Sequence, residues 1–189
     1  MADSGISPAD ARELFRQHVG SESLYRHCLA TAAIMGDLAR AMNEGSPDTW
    51  ESAGMLHDVD MELIGDDHSK HGILAGKMLD GLLPEPFIHA IVAHNGQLNG
   101  TVRTSDLDYL LSAAESVTGL ISATALIYPE RKLEPVEAAS VVKRMGKSGF
   151  ARNVDRARIM ECTQAGFSID DFVELALKAM KRIAPELGI

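Results

Sequence analysis

Apolar residues recur at three- and four-residue intervals along nearly the whole chain, the spacing of one helix face, and no stretch shows defensible strand alternation. Ser7-Pro8-Ala9-Asp10 opens a first helix, with Ser as cap, Pro at the first helical position and Asp placed as a capping-box acid. From Ser21 or Ser23 a longer helix runs toward Asn43-Glu44-Gly45, its stripe formed by Leu24, His27, Cys28, Thr31, Ile34, Met35, Leu38 and Met42. Asp48-Thr49-Trp50-Glu51, after Pro47, starts a short helix that ends at His57-Asp58. The spacing predicts a helix over 68–79 stopped by Gly81, then one from Pro84 or Pro86 through His94. A loop is expected over 95–104. Ser105-Asp106-Leu107-Asp108 caps a long helix to about Ile127, Pro135 begins another, and Ser168 caps a final amphipathic helix.

These elements predict an all-α, single-domain bundle. Residues 1–20 would pack on the domain, 21–127 would form its core, and 128–189 would complete it. A chain of 189 residues is most economically one domain with a substantial core. Apolar residues make up 46% and aromatics only 5%, so Leu, Ile, Val, Ala and Met must build that core, a mixture suited to helix packing. Cys28 and Cys162 form no metal or redox motif and read as reduced core thiols, which points to the cytoplasm. The N-terminus carries Asp3 and Asp10 and no apolar run, so a secretory signal is not expected. Nor does any segment read as a membrane span.

Histidine distribution changes the picture. Six of the seven fall between residues 27 and 94, and His27 lies on the apolar face of its helix rather than the polar one. His57-Asp58 sits at the end of the apolar stretch Ala53-Gly54-Met55-Leu56. Neighbours on a helix project about 100° apart, so both can reach adjacent corners of one coordination sphere. Imidazole with carboxylate suits Mn, Fe, Co, Ni or Zn, and Mg less well. Glu115 is a carboxylate inside a run of small and apolar residues, Ser112-Ala113-Ala114-Glu115-Ser116-Val117-Thr118-Gly119, and a buried acid needs a partner that a metal would supply.

The order His27, His57-Asp58, His71, His94, Glu115 resembles the HD-domain metal-dependent phosphohydrolases, in particular the small stand-alone HDIG-type proteins. The resemblance covers roughly residues 22–185. It implies a divalent metal held by His27, His57, Asp58 and Glu115, and hydrolysis of a phosphate ester on a small molecule such as a nucleotide. Three departures stand out. Glu115 occupies the place of the usual Asp, His57-Asp58-Val59-Asp60-Met61 lacks the lysine of the HDIGK form, and His94-Asn95 replaces a His-His pair. The second and third favour one ion, with a second through His71 and His94 as the alternative and Asp58 then bridging.

For catalysis the candidates are Asp58 as central ligand and Asp60 or Glu62 for proton transfer, the choice between the last two remaining open. Arg26, beside His27, and Arg103, after His94, are the candidates for binding substrate phosphate. Net charge is −9, which argues against broad nucleic-acid binding. Residues 131–158 hold eight basic against three acidic residues, a net of +5 that leaves −14 for the remainder. A solvated helix face explains that stretch, and contact with an anionic substrate or partner is the sharper reading. The small-residue helix could also serve a homo-oligomer interface. A different class, a non-catalytic HD-like module that binds a metal or ligand, is motivated by the same three departures.

Overall fold

The computed structural model describes residues 5–189. Eleven α-helices and two 3-10 turns make up its regular structure, and the described residues contain no strand beyond an isolated Asp80–Leu83 bridge. The helices are α1 (Pro8–His18), α2 (Glu22–Met42), α3 (Pro47–Leu56), α4 (Ile73–Met78), α5 (Glu85–His94), α6 (Gly96–Asn99), α7 (Asp106–Leu126), α8 (Ala138–Met145), α9 (Arg156–Met160), α10 (Ile169–Arg182) and α11 (Ala184–Leu187). The architecture is the expected all-α bundle.

Caps set the helix starts. Ser7 accepts from the Asp10 amide, and Ser21, the earlier of the two expected serines, accepts from that of Leu24. Ser105 and Asp108 form a complete capping box at α7. Each satisfies backbone N–H groups that a helix start otherwise leaves without partners.

α2 and α3 pack against each other more extensively than any other pair. Gly54 permits it: a Cβ there would lie 2.8 Å from Ala32 Cα, so only glycine lets the two backbones approach. α5 and α7 close the other side. α1 lies on α3, and α8 to α10 pack on α7, with α10 and α11 also against α2.

α7 corrects one expectation. An 18-residue window of mean hydropathy 1.2 makes it long and apolar enough to cross a membrane by length and composition. In the fold most of its apolar side chains, among them Leu110, Leu111, Val117, Leu120 and Ile121, are buried by the surrounding helices, and Leu126 at its end is exposed. Its small residues are what allow so many neighbours to pack closely. Both cysteines are buried free thiols.

Other boundaries differ locally. The helix expected over 68–79 breaks into a 3-10 turn, His68–Lys70, followed by α4. Gly72 makes the break with φ +81°, and its missing Cβ would otherwise sit 2.9 Å from the Ile91 carbonyl oxygen. The 95–104 stretch holds the short α6, ended by Gly100 in the left-handed conformation. The helix expected at Pro135 starts three residues later, at Ala138.

Candidate metal centre

Four helix ends or faces deliver the site. His57 occupies the C-cap position of α3, so Asp58 follows where the helix has already stopped. His27 comes from the early part of α2, His94 is the last residue of α5, and Glu115 projects from the middle of α7. His71 follows the 3-10 turn, and the break at Gly72 turns it inward; at 8% exposure it is buried.

Hydrogen bonds fix the direction of each imidazole. His57 Nδ1 donates to the Gly54 carbonyl at 2.8 Å, and His94 Nδ1 donates to that of Ile91. His71 Nδ1 donates to Asp60 Oδ1 at 2.7 Å. Thr118 Oγ1 gives its own proton to the Glu115 carbonyl, so at 3.0 Å it accepts from His27 Nδ1. In all four rings Nδ1 is thereby the protonated nitrogen, and Nε2 is directed at a common point.

That point is Asp58. Its Oδ1 lies 3.1 Å from His71 Nε2 and 3.4 Å from both His57 Nε2 and His94 Nε2, and its Oδ2 is 3.7 Å from His27 Nε2. Two overlapping groups could each hold a metal ion, His27–His57–Asp58 and Asp58–His71–His94, with Asp58 common to both. Glu115 stands just outside, Oε2 at 3.9 Å from His27 Nε2.

Two observations fit a cation. His57 Nε2 is buried with no hydrogen-bond partner, an arrangement that costs free energy unless something occupies the lone pair. His71 and His94 place their Nε2 atoms 2.9 Å apart, a contact that needs a shared proton or a common cation. Electrostatics agree. Burial pushes His27 and His57 below the ordinary imidazole value against the pull of Asp58, keeping them neutral as ligands must be. Burial also pushes the Asp58 carboxyl up, but His57, His71, His94 and His27 together outweigh it and hold the group well below the carboxylate range. For His71 burial is outweighed by hydrogen bonds to Asp58 and Asp60, which raise it to about 9.

The remaining candidates divide. Asp60 is fully buried, and its carboxylate accepts from His71 Nδ1 and from the Gly72 and Ala75 amides, each amide at 2.9 Å. It orients His71 and holds the start of α4. Glu62 is turned away from the cluster, on the surface, where it accepts from the amides of Gly20 and Ser21 at the start of α2. Arg26 is exposed, pairs with Glu22 at 3.6 Å and lines a cavity of about 360 Å³ that reaches His27, Thr118 and Gly119. Arg103 is occupied: it donates to the carbonyls of Ala93 and His94 and pairs with Glu161 at 2.7 Å, bracing the end of α5. Asn95, at the position of a second histidine, donates to the backbone carbonyls of His68 and His71 and so steadies the turn carrying His71.

Sequence reasoning missed Arg158, which pairs with Glu115 beside the cluster. The excess of base over 131–158 was its only signal. Part of that excess is structural: Arg156 donates to the carbonyls of Phe150, Ala151 and Val154. Thr118, which sets the His27 tautomer, was named only as part of a motif.

The HD-domain family matches residues 24–147, about two thirds of the chain, and the chain belongs to that family. The matched span begins just before His27 and includes all six candidate ligands. No curated protein and no solved structure matches it.

Proposed function

We propose that the protein is a metal-dependent phosphohydrolase acting on a small phosphorylated molecule, a nucleotide being one candidate, in the cytoplasm. The observation that carries this reading is the convergence of four Nε2 atoms on Asp58, with every Nδ1 engaged elsewhere. His27, His57 and Asp58 would hold one ion and His71 and His94, with Asp58 shared, a second; this geometry supports two ions better than the sequence did.

A divalent metal in such a site polarises a phosphoryl oxygen and makes bound water acidic. The chain's own residues supply the rest. Asp58 is held ionised by its imidazole neighbours, so it stays a ligand at neutral pH. Asp60 keeps His71 aimed at the centre. The 360 Å³ cavity beside His27 has apolar walls from Ala30, Met180 and Leu187 and polar groups from Ser23, Arg26 and Ser122, a mixture suited to the organic part of an ester and its charge.

The test is metal content by elemental mass spectrometry in the parent and in Asp58→Ala, followed by turnover of phosphomonoesters and diesters with Mn, Co, Ni or Mg. Stoichiometric metal and turnover in the parent, both lost in the variant, is the expected result. Metal bound without turnover of any ester would overturn the hydrolase and leave a metal-binding module.

A further inference from the structure

Glu115 has one methylene more than the Asp that usually holds its place, and a longer side chain must be fixed if it is to serve as a ligand. We propose that Arg158 is a positioning residue that decides which oxygen of Glu115 is presented to the metal centre. The inference rests on the cluster being a metal site.

Arg158 lies outside the family-matched residues, on α9. Its Nη2 forms an ion pair with Glu115 Oε1 and donates at 2.7 Å to the His94 carbonyl, while Nε donates to Ser112 Oγ at 3.0 Å. Ser116 Oγ donates a hydrogen bond to the same Oε1, at 3.2 Å. The guanidinium and the hydroxyl therefore hold Oε1 between them, and Oε2 is left on the side of His27. Without them Glu115 regains rotamer freedom, whose loss ligation would have to overcome. The same guanidinium grips the backbone of His94, so a single side chain sets the spacing between ligands from α5 and α7. A planar fork reaches all three partners, Ser112 and Glu115 on α7 and the His94 carbonyl on α5, better than the point charge of an ammonium does. Partners of this kind change metal affinity by about 10–100-fold when removed.

The experiment is calorimetric titration of metal-free protein with Mn(II), on the parent, Arg158→Met, Arg158→Lys, Glu115→Gln and the two double variants. Thermal unfolding of each metal-free form serves as the fold control. Arg158→Met is expected to bind Mn(II) about 10–100-fold more weakly than the parent, with Arg158→Lys between them. In the Glu115→Gln background the Arg158 substitutions should change affinity less than about twofold, because the carboxylate they act through is gone. If Arg158→Met does not fold, the Arg158→Lys cycle answers the same question. An equal loss in both backgrounds would overturn the proposal, since Arg158 would then act through His94 or the fold. Unchanged or tighter binding by a folded Arg158 variant would also overturn it, the latter by showing that Arg158 competes with metal for Glu115. No metal bound by the parent removes both this inference and its premise. Metal bound without ester turnover removes only the hydrolase.

Discussion

Asp60 and Glu62 lie two residues apart, and the fold gives them unrelated work. The Asp60 carboxylate is fully buried and engaged by His71 and two amides, so it does not face a substrate. Asp60→Asn should weaken metal binding about 10–100-fold through loss of His71 orientation. Glu62→Ala should leave metal affinity and turnover as in the parent and lower only thermal stability. Equal metal titrations for the two variants would contradict this division. His71 gives a second prediction. Its metal-free value of about 9 lies above the unfolded imidazole value near 6.5. The proton therefore stabilises the metal-free fold fully below about pH 6.5, and that stabilisation is lost as pH rises through about 9. At pH 7.5 an incoming metal must displace that proton, so affinity should rise with pH up to about 9. Calorimetry in buffers of different ionisation enthalpy should report close to one proton released at the His71–His94 position, and no release would refute it.

At the scale of elements, the long helices were legible and the breaks were not. α2 and α7 announced themselves by periodicity and by serine caps, and His27 was recognisable because it interrupts an apolar stripe. The break at Gly72 was missed because its cause is a carboxylate twelve residues back and a carbonyl on α5, which no local pattern records. The order of the candidate ligands could be read from sequence, whereas the surroundings of Asp60, Glu62 and Arg103 could not, since each depends on which backbone groups the fold brings near. The Gly54–Ala32 contact was equally hidden and is testable. Gly54→Ala should cost about 1–3 kcal/mol by overpacking, read as a lower urea midpoint at unchanged slope. It should also weaken metal binding, because α3 carries His57 and Asp58 past α2 and His27. Unchanged stability would mean the two helices separate more easily than their packing implies.

Across the whole molecule, the segments that complete the bundle also reach the site. Arg103 and Arg158 both end on carbonyls at the C-terminus of α5, the negative end of that helix, and they tie it respectively to Glu161 and to α7. The basic stretch seen in the sequence thus contributes an interior clamp as well as surface charge. With α2 and α3 pressed backbone to backbone at Gly54, the imidazoles already point inward in the metal-free fold, and no helix has to dock for the candidate ligands to meet. Metal uptake should then bury almost no additional apolar surface, and the binding enthalpy should be nearly independent of temperature. A steep dependence would instead reveal a bundle that closes only around its ion.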